Sequence, residues 1–553
     1  MDSLTLSRNA RVVIRDACDP KYQHAVHQFA SDSFNEHWTS ENLSPDAIVY
    51  CACEADVVTT VRAASSASPP VHLSARSGGH SYNGYSSRTR TAGGWVVDVS
   101  MLQQVVSDSP DVMRVGAGLK LHQLNAELWK RKRSFPKGIC RGVAIGGHLQ
   151  SSAFGALRST HGSGLDHVLA FRMVLADGTL IVAKRDNAHH ELFFCVLGGF
   201  PGSYGIVTEY TIRTIPDNEC PHFTSFNRRW SLPALGVHHV HQIIERAQRI
   251  LQQQEQAGTR DCSVSVMIGM THISALDALP DLPVVGHISN YITVRPDPDI
   301  SAAVVDVLIR WNGIDSGKFT DRHYQDIVAP FDRITTGLQY PSLMEKAMGA
   351  AMRTFMGSTM SSATNTAISY NHPVGHRYLV VGNHSNSWFD STAIQTMSSE
   401  ITRRVRARQA FSLQLLNMHQ SSQWSLNKHL NILGWRDSRV VCDDWVYFRP
   451  LDTDPNTIID ALESFHQSLP WSTVPGTTMR LETFMGPDSD KRPAPHERTF
   501  EELRAFFPNP GDLERLVRLK RQVDPMSIFD GMGTIPTSEN TSTTASSEIA
   551  AER

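Results

Sequence analysis

From about residue 45, apolar and polar positions fall into regular patterns. "DAIVYCA" reads as a strand, and "EADVVTTVRAASSA" places its apolar residues at three- and four-residue steps, the period of an amphipathic helix. A second strand, "VHLSA", runs directly into a glycine-rich stretch. "WVVDVS" and "VMRVGAG" predict further strands and "KLHQLNAELWKRK" a helix, so the region opens with the βαβ pattern of an α/β unit. "LAFRMVLADGTLIVAK" predicts a hairpin turning at Asp177 and Gly178, and "GSYGIVTEYTIRTIP" a closing strand near Ile215. The pattern changes after about residue 218. "CSVSVMIGM", "HISNYITV", "YLVVGN", "SLQLLNM" and "RVVCDDWVYF" predict longer strands, alternating with helices such as "NTIIDALESFHQSL". That combination predicts a second domain on a mostly antiparallel sheet with helices on one face. The helix "PGDLERLVRLKRQVDP" ends at a proline, and the last seventeen residues hold eight Ser or Thr and no aromatic, the composition of a disordered tail.

Composition narrows the function classes. A net charge of -3 over 553 residues leaves no basic footprint for nucleic acid or anionic membrane. No apolar run approaches the roughly 18 residues of a membrane span. The first residues lack the apolar core of a secretory signal, being broken by Arg8, Arg11 and Arg15, while Asp2 and Asp16 oppose a transit peptide, so a cytoplasmic protein is expected. Eight cysteines in a chain of this length do not make a disulfide framework. Cys51 and Cys53 have the wrong spacing for a zinc knuckle and read as alternating along a strand. The histidine-rich residues 238–241 open the helical run "QIIERAQRILQQQEQ" and read as a partly solvated helix, so no metal is expected. The sequons at Asn42, Asn383 and Asn540 mean nothing without entry to the secretory pathway.

Glycines between a strand and the next element let backbone N–H groups converge on an anion, because no Cβ blocks positive φ. Five clusters occur: Gly78 and Gly79, Gly116 and Gly118, Gly146 and Gly147, Gly162 and Gly164, and residues 198–205. So many within about 130 residues suggest a backbone wrapped round an extended ligand such as a dinucleotide. None matches the Rossmann or P-loop pattern. His80, behind Gly78 and Gly79 in "ARSGGHSYNGYSS", reads on its own most simply as a solvated loop histidine, with a ligand or a point of attachment as the alternatives.

"ARSGGHSYNGYSS" resembles the pyrophosphate loop of the vanillyl-alcohol-oxidase-type flavoproteins, which carry a PCMH-type FAD domain. "KGICRGVAIGGHLQSSAFGALRSTHGSGLDHV", "ELFFCVLGGFPGSYGIVTEYTIRTIP" and "RLVRLKRQVDPMSIF" resemble further hallmarks of the berberine-bridge-enzyme-like branch, in order, from about residue 43 to Pro536. The resemblance implies an α+β fold: an N-terminal extension (1–42), a PCMH-type FAD-binding domain (43–217), a substrate domain with a mostly antiparallel sheet backed by helices (218–490), a segment returning to the FAD domain (491–536) and a tail (537–553). It implies bicovalent FAD, with His80 bonding the flavin 8α carbon and Cys140 bonding C6. The backbone of Arg76, Ser77, Gly78 and Gly79 would cradle the pyrophosphate. Gly147, His148, Gly155 and Ile206 match residues that line the flavin and adenosine, and Val143 matches the position of an oxygen gate. A neutral imidazole or a thiolate is a competent nucleophile toward an activated flavin carbon. The chain departs from the family at Ser152 and Ala153, which replace glycines, and in "AFFPNPGDLERL", where Phe506, Phe507, Asp512 and Leu513 stand in a segment that supplies a tyrosine base in many relatives.

The resemblance implies an FAD-linked oxidase of a small organic molecule, with dioxygen as acceptor and hydrogen peroxide as product. The missing signal favours a secondary metabolite over a sugar. A redox-neutral cyclase, an oligosaccharide oxidase and a binding protein on a degenerate flavoprotein fold are the alternatives. The replacement base is sought on "RVVCDDWVYF". Strand neighbours point to opposite faces, so Arg439, Val441, Asp443, Trp445 and Tyr447 share one face and Val440, Cys442, Asp444, Val446 and Phe448 the other. The second face suits packing under helices, where Asp444 needs a partner. The first suits a cavity for a planar substrate, making Asp443 or Tyr447 the candidate base. Gln414 would orient the substrate, by its resemblance to a family glutamine on a neighbouring strand. A solvent-exposed Asp443 paired with Arg439 is the competing arrangement.

Overall fold

The structure, a computed structural model, describes residues 4–16, 18–28, 43–81, 84–88, 90, 92–231, 236–269, 304–334, 360–361, 377–407, 409–417, 419–448, 455–469, 479–480, 503–504, 506–507, 509, 511–531 and 534–537. The predicted strand "HISNYITV", the tail from residue 538 and the sequons at Asn42 and Asn540 lie outside them.

The βαβ pattern folds as a small sheet of β1 (Arg11–Ile14), β2 (Ala47–Tyr50), β3 (Leu73–Arg76) and β4 (Trp95–Asp98), in the order β1-β2-β4-β3. β2 and β3 pair with β4 in parallel, and β1 closes the edge in antiparallel fashion. The sequence pattern did not single out β1 or the helix α1 (Pro20–Val26), whose Tyr22, Ala25 and Val26 bury against Ile48 and Val96. The helix α2 (Glu54–Ser65) turns Val57 and Val61 into the core. Cys51 and Cys53 do not alternate along a strand: β2 ends at Tyr50, and the Asp56 carboxylate gathers the N–H groups of Ala52 and Cys53 to start α2. A second sheet, β5 (Val105–Ser107), β6 (Val112–Gly116), β7 (Val168–Val174), β8 (Leu180–Lys184) and β9 (Ile206–Arg213), runs antiparallel in the order β5-β6-β9-β7-β8. The predicted hairpin is β7–β8, with Gly178 at φ +76° in its turn. The helix α3 (Leu121–Lys130) follows β6.

Seven antiparallel strands form the third sheet: β10 (Thr224–Ser231), β11 (Cys262–Gly269), β12 (Val304–Trp311), β13 (Arg377–Ser385), β14 (Ala410–Asn417), β15 (Val440–Phe448) and β16 (Met479–Arg480), ordered β10-β12-β11-β14-β15-β13-β16. Two amphipathic helices cover one face. α4 (Val237–Ala257) ends at the left-handed Gly258, and α5 (Ser391–Arg406) starts where Asp390 accepts the Ala393 N–H at 2.8 Å. Ile244 and Leu251 of α4 and Met397 and Ile401 of α5 bury against Val264, Ile309, Leu413 and Leu415. Each fully buried aliphatic chain of this size contributes roughly 1.5–3 kcal/mol. The residues at 238–241 lie in α4, and no cluster of His, Cys, Asp or Glu fit for a metal occurs among the described residues. The helix α6 (Pro455–Gln467) follows β15, and α7 (Asp512–Val523) returns to the first part of the chain, where Leu513, Leu516 and Val517 share a core with Val57 and Val61. The two parts are joined by the buried Asp166, which accepts from Arg436 at 2.5 and 3.1 Å and from Asn427 and Asn431 at 3.0 Å. Among the described residues no helix is long and apolar enough to cross a membrane.

Candidate active site

Alternation along β15 separates its two carboxylates. Asp444 turns under the helices, where Arg404 of α5 grips it with two bonds of 2.6 and 2.9 Å and His466 of α6 adds a third at 3.1 Å. Burial pushes its pKa up, but the Arg404 charge and the His466 hydrogen bond outweigh that and hold it at about 2. Asp443 points the other way, 5% exposed, and its Oδ1 has no hydrogen-bond partner among the described residues. Burial drives its pKa well above the usual carboxylate range; the Trp445 indole N–H opposes this and the Asp444 charge adds to it. The pairing with Arg439 is not made, because that guanidinium binds Glu255 at 2.8 Å. Trp445 and Tyr447 stack on the same side as Asp443 with ring centres 6.4 Å apart. Register puts Met267 of β11, Gln414 of β14 and Asp443 directly opposite one another across three strands, so they form one row on the helix-free face.

That face meets the glycine-rich loops. One cavity is lined by Arg76, Ser77, Gly78, Gly79, His80, Cys140, Val143, Gly147, His148, Gly155 and Ile206 from the first part of the chain and by Gln414, Asp443, Trp445 and Tyr447 from the third sheet. Every candidate residue singled out from the sequence therefore reaches it. Arg76 does so through its backbone, since its side chain pairs with Asp98 and donates to Ala25 O at 2.8 Å and Tyr50 Oη at 3.1 Å. Ser77 is fixed by a 2.6 Å bond from its hydroxyl to Ala117 O. A Cβ on Gly78 would come within 2.7 Å of Ala144 N, so the loop of residues 77–79 presses on the segment behind Cys140. Gly79 adopts φ +61°, turning the chain toward His80. The His80 ring lies 3.2 Å from where a Cβ on Gly142 would sit, which brings it to the wall that carries Cys140.

His148 accepts the Gly138 N–H on Nε2 at 3.0 Å. Burial, aided by Lys137 and His80, lowers its pKa to about 4 and keeps it neutral. Val143 is half-buried on the cavity wall. Tyr447 has its pKa raised by burial, then by Asp443 and Cys140, which places the thiol within electrostatic reach of the phenol. At the departure from the family pattern, Ala153 keeps the left-handed backbone that glycine favours, at φ +42°, and Ser152 lines the cavity. Phe506 and Phe507 pack on Phe200, with ring centres 5.5 and 5.4 Å apart, and neither lines the cavity.

The residues fit an FAD. A Cβ on Gly147 would meet nothing within 4 Å, leaving open space above a backbone that lines the cavity. Ser77, Gly78 and Gly79 line the cavity beside a histidine and a cysteine, His80 and Cys140. Arg158 and Arg310 also line the cavity, and sequence reasoning did not find them.

Fold and site together define a two-part α+β flavoprotein. Residues 45–184 match the FAD binding domain family model. The chain is 36% identical over 169 residues to an FAD-linked oxidoreductase of Aspergillus terreus, covering 30% of this chain and 20% of the relative. It is 34% identical over 151 residues to the monolignol oxidoreductase of Arabidopsis thaliana, covering 26% of this chain and 27% of the relative. Those alignments span only about a fifth to a quarter of the relatives' own lengths. Over the whole chain the fold matches berberine bridge enzyme from Eschscholzia californica with a TM-score of 0.70, covering 96% of this chain and 97% of that one at 17% identity. Xylooligosaccharide oxidase from Myceliophthora thermophila matches at 0.67, with 96% and 98% coverage and 17% identity. The fold is that of the berberine-bridge-enzyme-like structures, and its first part carries an FAD binding domain.

Proposed function

We propose that the protein is an FAD-dependent oxidase of a small organic molecule, with the cofactor attached through His80 and Cys140. The carrying observation is the single cavity shared by the residue 77–80 loop, Cys140 and the row of Gln414 and Asp443. The names of the relatives, an FAD-linked oxidoreductase and a monolignol oxidoreductase, support redox chemistry, and the substrate we propose is a small organic molecule such as a secondary metabolite. When bound, FAD supplies a two-electron acceptor for a substrate C–H bond and returns the electrons to dioxygen, giving hydrogen peroxide.

The chain's own residues hold and deprotonate the substrate. Trp445 and Tyr447 offer stacked rings to a planar body, and Gln414 offers an amide beside Asp443. Of the two candidate bases, Asp443 is the better: burial moves a carboxyl toward neutral pH, where a base must work, and moves a phenol away from it. Buried His148, held neutral, adds no charge of its own to the cavity. Val143 stands on the wall where dioxygen would approach.

A redox-neutral cyclase is the second reading. It is favoured by the same Asp443, because a carboxyl that keeps its proton can donate it, whereas a base must first lose it. A metabolite panel screened anaerobically for bleaching of the flavin, then in air for peroxide, separates the two. Bleaching followed by stoichiometric peroxide supports the oxidase; substrate conversion with neither supports the cyclase.

A further inference from the structure

Charge in the cavity is one-sided. Two guanidinium groups line it, Arg158 and Arg310, and among the described lining residues the sole carboxyl is Asp443, whose pKa burial raises. Arg158, on the short helix Arg158–His161, donates to Gly155 O at 3.1 Å and approaches Ser265 Oγ at 3.5 Å. Arg310, on β12, is 8% exposed, and its Nε has no hydrogen-bond partner among the described residues. Burial lowers Arg310 to about 10, with no carboxylate contributing, and burial plus the charge of Arg310 lowers Arg158 to about 9. Both remain cations at neutral pH.

For Arg310, a buried cation whose Nε has no partner among the described residues, an anion that enters recovers much of the cost of burial. The planar fork of an arginine matches a carboxylate with two parallel hydrogen bonds. Ser265, another lining residue, sets a hydroxyl beside Arg158. We propose that Arg310, with Arg158 and Ser265, forms an anion-recognition subsite, and that the substrate is an ionised carboxylic acid. This rests on the oxidase reading of the cavity. Register also sets where the carboxylate sits. Arg310 lies opposite Ser263 of β11, whereas the Gln414 and Asp443 row lies opposite Met267 of the same strand. Four residues of strand separate these rows by about 13 Å. Ser265 lies between them, about 7 Å from the Met267 row, so the subsite runs along β11 away from Asp443 and the carboxylate is held apart from the carbon that is oxidised.

The test uses the holoprotein and three probes with one aromatic body: 4-hydroxycinnamate, its amide and its alcohol. Binding is read by calorimetry, which needs no flavin signal, while flavin content is read separately by absorbance. The carboxylate is expected to bind at least about tenfold more tightly than the amide, as a charged hydrogen-bonded group does. Arg310→Gln should abolish that preference and leave amide binding within about twofold, Arg310→Lys should keep part of it, and Ser265→Ala should weaken it severalfold. No carboxylate binding at millimolar concentration, equal binding of carboxylate and amide, or full preference in Arg310→Gln overturns the subsite. So does a shifted flavin reduction potential in substrate-free Arg310→Gln with unchanged probe binding, which would assign the arginine to the cofactor. A colourless wild-type protein that still prefers the carboxylate would instead sink the oxidase reading and leave the subsite standing.

Discussion

Adjacent carboxylates on β15 should respond in opposite ways to the same substitution. Asp444→Asn removes the charge that Arg404 grips at 2.6 and 2.9 Å, on a side chain with no exposure to solvent. Breaking a buried pair by removing one partner costs about 3–5 kcal/mol. Arg404 keeps Glu400 at 2.8 Å and lies over the rings of Phe411 and Phe465 at 5.4 and 5.2 Å, so the low end, about 3 kcal/mol, is expected. With an unfolding entropy of about 2.1 cal/mol/K per residue over 553 residues, 1 kcal/mol moves the midpoint by roughly 1 °C, so it should fall by about 3 °C. Asp443→Asn instead replaces a carboxyl that has no ion pair among the described residues and one oxygen unbonded, and should cost clearly less than Asp444→Asn. The pH dependences should also diverge. The depressed Asp444 contributes stability above the unfolded carboxylate value of about 3.9, and loses it as pH falls toward about 2. The raised Asp443 costs nothing below the unfolded carboxylate value of about 3.9 and destabilises the wild type as pH rises from there to its folded value, so Asp443→Asn should gain on the wild type as pH rises above about 4. Thermal unfolding followed by tryptophan fluorescence measures both. Equal midpoints for Asp444→Asn and wild type, or equal losses for the two variants, would refute the assignment of faces.

With a turnover substrate in hand, Asp443→Asn should slow flavin reduction by about 100-fold or more, as loss of a general base does, and leave cofactor attachment intact. The wild-type reduction rate should rise with pH as Asp443 ionises, and a flat profile would move the role to Tyr447. Val143→Leu adds one methylene on the cavity wall and should slow reoxidation by air with little effect on reduction; equal stopped-flow reoxidation rates would dismiss a gating role.

Much of the site was readable because strand geometry is periodic. The two-residue repeat of β15 parted Asp443 from Asp444 before any contact was known, and the partner that Asp444 needed is Arg404. His80 and Cys140 are different. Nothing in their separate sequence contexts says that they meet, and the resemblance carried that expectation; the closeness of His80 to Gly142 is a product of two loops folding together. The reading failed where local patterning was short or ambiguous. Cys51 and Cys53 looked like strand alternation, yet Asp56, three residues after Cys53, was the signal of a helix start. β1 spans only Arg11–Ile14, too few residues for a periodic pattern to declare itself. Arg310 closes a strand as a single cation, which is ordinary in sequence, and only the register of β12 against β11 shows which face it occupies.

The central claim is a flavin held by both His80 and Cys140. Precipitating the purified protein with acid, then digesting the pellet and weighing its peptides, tests it most directly. The account predicts a yellow pellet and one flavin-bearing species joining the peptide with His80 to the peptide with Cys140. His80→Ala and Cys140→Ala should each keep flavin through the remaining tether. Release of all flavin into the acid supernatant of the wild type would contradict it.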